Sequence, residues 1–185
     1  TLSLQNNQIS NLAPLAGLSK LAWLNLMENK IAEPISLEGL TELKNLHELH
    51  LAHNRVTDIS PLAGLTNLHK LSLNDNQITD LAPLAKLNNI HELHLSHNKI
   101  TELTPLAELS KLEYLTLNFN QITDVKPLAG LNNLVRLGLQ TNKITSGELL
   151  GDLTNLRTLW LTGNPTTEDQ KVMLRKALPN CAIKF

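Results

Sequence analysis

All seven histidines of the chain lie between residues 47 and 97, among residue types that do acid–base and metal chemistry. The segment HELH occurs twice, from His47 to His50 and from His91 to His94, and Ser72 falls midway between His50 and His94. Ser72 as nucleophile, a histidine as base and Glu48 or Glu92 as orienter would supply the parts of a hydrolytic triad. His47, His69 and His91 are spaced 22 residues apart, and two imidazoles from such a set would share a borderline metal such as zinc or nickel. Imidazoles in this number, with a reference pKa of about 6.5, would also make their surface strongly positive in mild acid.

A second set has the chemistry of recognition. Trp23, Tyr114, Phe119 and Trp160 are four of the five aromatic residues in the chain. They occur in the same short segments as Glu48, His50, Lys70, Glu92, His94 and Arg136. Tryptophan, tyrosine and arginine are the residues that carry most of the binding energy in protein interfaces.

The elements that position both sets are legible from one asparagine. It recurs as Asn7, Asn29, Asn54, Asn76, Asn98, Asn120, Asn142 and Asn164, every 22 residues except for a step of 25 between Asn29 and Asn54. A fixed period of this length marks a solenoid whose units stack to bury a continuous core. Within each unit the pattern x-L-x-L-x alternates with period two and predicts a short strand. The leucine pairs from Leu24 and Leu26 through Leu159 and Leu161 face inward. Identical units stack in one direction, so the strands form one parallel sheet on the concave side. Where the chain leaves each strand it exposes N–H and C=O groups to an apolar interior. One inward asparagine per unit, with its donor and its acceptor, satisfies them. Its role is structural.

The return segments carry Pro14, Pro61, Pro83, Pro105 and Pro127, which suits 3₁₀ turns or short irregular turns on the convex side. Two units depart from this. Residues 32–43 hold three extra residues, and ITSGELLGDL replaces the proline with Leu149 and places Gly147 where an aliphatic is expected. Both are expected to make slightly longer convex excursions. Thr167 to Gln170 has capping-box spacing, and Met173, Leu174, Ala177 and Leu178 are expected on one buried face of a short helix that Pro179 ends. Cys181, Ile183 and Phe185 then alternate along a closing extended tail, with Cys181 expected as a buried small hydrophobe. The chain thus divides into a solenoid of eight units over 1–166, the first incomplete, and a C-terminal cap over 167–185. The first strand, with nothing ahead of it, would present an open edge, and a chain that begins in mid-unit is expected to be a piece of a longer protein.

On this frame several chemistries fall away. HELH lacks the H-E-x-x-H spacing of zinc proteases, and residues three apart on a strand point to opposite faces. A metal centre needs further convergent ligands and an oriented outer shell, so weak adventitious binding is the expectation and no metal or cofactor is assigned. An open sheet offers no oxyanion hole and no water-excluding pocket, so no residue is assigned to catalysis. A formal net charge of −1 provides no basic field for nucleic acid. No apolar run reaches the length of a membrane span. A single cysteine excludes an internal disulfide.

Units such as NQITDLAPLAKLNNIHELHLSHN and NQISNLAPLAGLSKLAWLNLMEN closely resemble the 22-residue bacterial leucine-rich repeats of the internalin type, over residues 1 to about 166. The ending GNPTTEDQKVMLRKALPNCAIKF resembles the C-terminal cap of related proteins. The resemblance implies a horseshoe-shaped α/β solenoid, a secreted or surface-attached protein, and recognition of other macromolecules on the concave face. The resulting reading is a non-enzymatic module that binds a protein or peptide through Trp23, Glu48, His50, Lys70, Glu92, His94, Tyr114, Phe119, Arg136 and Trp160. A glycan-binding surface using the same aromatics is the alternative, and a structural spacer in a larger protein is a third.

Overall fold

The computed structural model describes the whole 185-residue chain except Glu33, and only the backbone of Pro34 and Ile35. Nine short strands run through it: β1 (Leu2–Ser3), β2 (Trp23–Asn25), β3 (Glu48–His50), β4 (Lys70–Ser72), β5 (Glu92–His94), β6 (Tyr114–Thr116), β7 (Arg136–Gly138), β8 (Thr158–Trp160) and β9 (Ala182–Lys184). They form one parallel sheet in sequence order. The register puts like on like: Leu24, Leu49, Leu71, Leu93, Leu115, Leu137 and Leu159 make one row, which Ile183 continues. These leucines, and their partners two residues on, are sealed from solvent. The expected ladder is therefore the core.

The asparagine column closes the turn that leaves each strand. Asn98 is typical. Its Nδ2 donates to the carbonyls of Leu73, Leu95 and Ser96, and its Oδ1 accepts from Ile78 N at 3.0 Å. Asn76, Asn120 and Asn142 repeat the scheme. Each side chain thus reaches one unit back, and no buried side-chain polar atom among the described residues is left without a partner. A second asparagine column, unread in the sequence, runs along the return to the strands. Asn45, Asn67, Asn89, Asn133 and Asn155 each donate to a backbone carbonyl of the preceding unit.

The convex side is built from 3₁₀ turns at Ala13–Leu15, Ser60–Leu62, Ala82–Leu84, Thr104–Leu106 and Lys126–Leu128, each with its proline at the start. Asp58, Asp80 and Asp124 accept from the backbone N–H two residues on, which fixes the entry to three of these turns. The two irregular units are longer, as expected. One forms α1 (Pro34–Leu37) running into a 3₁₀ turn, and the other a five-residue turn at Glu148–Asp152. Gly39 in the first excursion lies so close to the Leu12 carbonyl that a Cβ would overlap it at 1.9 Å, so only glycine lets these two returns pack.

Helix α2 (Glu168–Ala177) opens with the expected capping box, in which Thr167 and Gln170 serve each other's backbone N–H. Its buried face is narrower than the sequence suggested. Leu174 and Leu178 are buried, whereas Met173 is 48% exposed and Ala177, although it faces Gly151, stays open to solvent. The physical reason is the helical wheel: Leu174 and Leu178 are four apart and point the same way, and Met173 sits about 100° from Leu174. Gly147 and Gly151 explain the missing aliphatic. A Cβ at Gly147 would lie 3.2 Å from Leu174 Cδ1 and one at Gly151 3.0 Å from Ala177 Cβ, so the last convex turn is thinned to admit the helix. Cys181 is half-buried rather than sealed, and Ile183 and Phe185 pack on the end of the core.

Candidate binding surface

With the leucines turned inward, the alternate residues of every strand stand on the concave face. The register aligns them in rows. Trp23, Glu48, Lys70, Glu92, Tyr114, Arg136 and Thr158 form one, and Asn25, His50, Ser72, His94, Thr116, Gly138, Trp160 and Lys184 form the next. Every strand residue read as a candidate from the sequence lies in these two rows. Phe119 stands apart, at the point where the chain turns out of β6.

The centre of the face is a chain of polar contacts built around one ion pair. Lys70 Nζ lies 2.9 Å from Glu92 Oε1, and His94 Nε2 lies 2.6 Å from the same oxygen. His94 Nδ1 meets Thr116 Oγ1 at 3.2 Å. On β3, beside Lys70, His50 Nε2 is 3.5 Å from Glu48 and its ring tilts against Trp23 with centroids 5.7 Å apart. Burial depresses the His50 pKa, only partly offset by the hydrogen bond to Glu48. Partial burial works to raise Glu92, but the hydrogen bonds from Lys70 and His94 prevail and hold it below the usual carboxylate value. His47, His69 and His91 stack on the flank, with centroids 5.2 and 5.6 Å apart. Desolvation in that stack, and repulsion from the other two imidazoles, lowers His69.

The other half of the face is aromatic. Tyr114 is half-buried and carries the Arg136 guanidinium 5.4 Å above its ring, and Trp160 is half-buried between Gly138 and Lys184. Phe119 is 45% exposed and stacks on His97 at 4.2 Å. Its backbone is left-handed, with φ of 55°. The corresponding residue of every unit from Asn6 to Gly163 shares that conformation, so the turn imposes it. Asparagine, aspartate and glycine suit such a turn; a phenylalanine there is an outlier. No rule of sequence periodicity would have revealed it.

Several chemistries weighed earlier find no support in this arrangement. Both nitrogens of His94 are engaged by Glu92 and Thr116 rather than by Ser72, whose side chain is nested in the sheet. The rings of His47 and His69 are parallel within 4°, so they face each other instead of converging on a common point. Among the described residues no group of three or more metal-ligating side chains comes together. Among them, too, no helix is long and apolar enough to cross a membrane.

Comparison with known proteins agrees with this geometry. A family model for tandem leucine-rich repeats matches residues 44–86, 66–111, 88–130 and 110–146. An internalin of Listeria monocytogenes, inlF, superposes over 100% of this chain and 60% of its own, with 32% identity and a TM-score of 0.88. Internalin C2 of the same organism covers 99% of this chain and 79% of its own, at 35% identity and a TM-score of 0.93. This chain belongs to the bacterial leucine-rich-repeat proteins of the internalin type. A leucine-rich-repeat protein of Leptospira interrogans is also similar, over 98% of this chain and 53% of its own, with 32% identity and a TM-score of 0.84. No curated protein sequence matches the chain. The leucine-rich repeats are a family of protein-interaction modules, and this one presents its repeats as one continuous parallel sheet.

Proposed function

We propose that this internalin-type protein is a non-enzymatic recognition module that binds a protein or peptide partner across the concave strands. Trp23, Glu48, His50, Lys70, Glu92, His94, Tyr114, Phe119, Arg136 and Trp160 form the contact surface. With this reading go a repeat solenoid over 1–166 closed by a cap over 167–185, and a place outside the bacterial cell or on its surface. What carries the reading is Phe119. The core is made of leucine, isoleucine and valine and asks for no aromatic, yet a phenylalanine stands 45% exposed on a left-handed residue. Because the turn imposes that backbone in every unit, it is the large apolar ring left open beside His97, not the φ angle, that points to use. Tyr114 with Arg136 upon it, and Trp160, add large rigid side chains on the same sheet, the kinds that dominate interface energetics.

The test is a display selection of random peptides on the immobilised chain, with Tyr114→Ala and Trp160→Ala proteins as counter-targets and a glycan array in parallel. Peptides that bind the native protein and fail on both variants, while all three proteins melt within a few degrees of one another, are the expected result. Selected peptides that bind the variants equally well would refute the concave reading. Array binding lost with Trp160→Ala, in the absence of any peptide binder, would favour a glycan partner.

A further inference from the structure

The charges of the concave face are not scattered. On the strands and turn positions of β2 to β5 stand four carboxylates, Glu28, Glu48, Asp75 and Glu92, against the single cation Lys70. On β6 to β9 the same positions carry Arg136 and Lys184 and no carboxylate. The boundary falls between Glu92 and Tyr114, which are register partners. It is also the boundary between the histidine-rich half and the aromatic half.

Arg136 differs from Lys70 in its surroundings. Lys70 is held by Glu92 at 2.9 Å. Arg136 is exposed, rests on the Tyr114 ring and, among the described residues, has no carboxylate partner. Stacking on an aromatic face orients a guanidinium and leaves its N–H edge free to take a carboxylate by two parallel hydrogen bonds. Thr158, the register partner of Arg136, offers a hydroxyl donor on the same face. Trp160, two strand positions along and one unit over, offers a flat apolar surface beside Lys184.

We propose that the concave face takes an extended, polar peptide in one orientation only. An acidic residue of that peptide lies on Arg136 with an apolar or aromatic neighbour against Trp160, and its basic end lies over Glu48. The inference rests on the concave binding proposed above and adds the charge order of the partner. The peptide crosses several strands, since at about 4.8 Å per strand the four steps from Glu48 to Arg136 span roughly 19 Å, the reach of six extended residues. Reversal of the peptide would put carboxylate on carboxylate at one end and cation on cation at the other, which is how like-charge contacts impose register.

The probe is the same random peptide library, sorted separately on the native chain, on Arg136→Glu and on Glu48→Lys. Both substitutions lie on the solvent side of the sheet, and thermal melting of each protein controls for folding. Peptides from the native selection are expected to carry acidic residues at one end and basic residues at the other. They should bind Arg136→Glu about tenfold more weakly or worse at low salt, with the difference shrinking as salt is added. Replacing the peptide's acidic residue by lysine should restore binding to Arg136→Glu. Peptides with no charge order, or affinity unchanged by Arg136→Glu, overturn the inference while leaving concave binding intact. Loss of the selected peptides on Tyr114→Ala and Trp160→Ala reports on concave binding itself, so the two readings fail separately.

Discussion

Removal of one amide from the asparagine ladder is the sharpest test of how the solenoid holds together. In Asn98→Ala the carbonyls of Leu73, Leu95 and Ser96 each lose one donor and keep another, from Asn76, Asn120 and the Asp75 N–H respectively. The N–H of Ile78 loses its acceptor, Asn98 Oδ1, in a fully buried setting. One orphaned buried donor costs about 1–3 kcal/mol and three weakened acceptors roughly 0.5–1.5 kcal/mol each, so the sum is about 2.5–7.5 kcal/mol. Asn98→Asp makes a finer prediction. It keeps an acceptor for Ile78 but turns a carboxylate oxygen towards three carbonyls, so it should destabilise more than alanine. Asn7→Ala is the control, since Asn7 is exposed and donates only to Leu4 and Gln5, and it should cost no more than about 1 kcal/mol. Equilibrium urea unfolding followed by circular dichroism measures all three. If Asn98→Ala proves as mild as Asn7→Ala, or Asn98→Asp milder than Asn98→Ala, the ladder is not what closes these turns.

Other predictions test the ends and the titrating groups. Gly151→Val should push helix α2 off the last convex turn, because a Cβ there already lies 3.0 Å from Ala177; a loss of about 1–3 kcal/mol is expected in the same urea assay, and a neutral result would mean the helix is not seated as described. His50 and His69 are both held below the ordinary imidazole value, so the unfolded chain binds more protons than the folded one as pH drops through about 6.5. The stability they contribute is complete above that pH and is lost on acidification. Calorimetry should therefore record a falling Tm between about pH 7.5 and 5.5, flattened by His50→Gln with His69→Gln; a Tm that rises on acidification contradicts the sign. Burial raises the Cys181 thiol above its usual pKa, so a thiol-specific chromogenic disulfide should modify it far more slowly in the folded protein than in urea, and equal rates would show it to be solvated.

What the sequence made plain was whatever repeats. Leu24 and its counterparts, Asn29 and its counterparts, and the prolines of the convex turns recur at one interval, so each unit votes for the same reading, and the two irregular units stand out against the rest. The capping box at Thr167 was legible because it is a local pattern. Features that depend on contact between distant residues were not. Met173 reads as core by composition, and only the seating of Leu174 against Gly147 decides which side of the helix is covered. The pairing of His94 with both Glu92 and Thr116 joins residues of different units. The left-handed turn under Phe119 follows from backbone geometry that six residue types occupy besides glycine, so no residue type marks it. On the candidate surface, the rows were foreseeable from alternation, and their charge order became visible once the register set Glu48, Lys70, Glu92, Tyr114 and Arg136 side by side.

The short reach of the ladder amides has a further consequence. Asn98 bonds only within its own unit and to the one before it, so a block such as residues 77–98 carries with it everything its upstream neighbour requires. Duplicating or deleting one whole block rejoins equivalent partners on either side of the seam. A curved scaffold wired in this way changes its length in discrete steps, and the hollow it offers to a partner widens or narrows by one rung at a time.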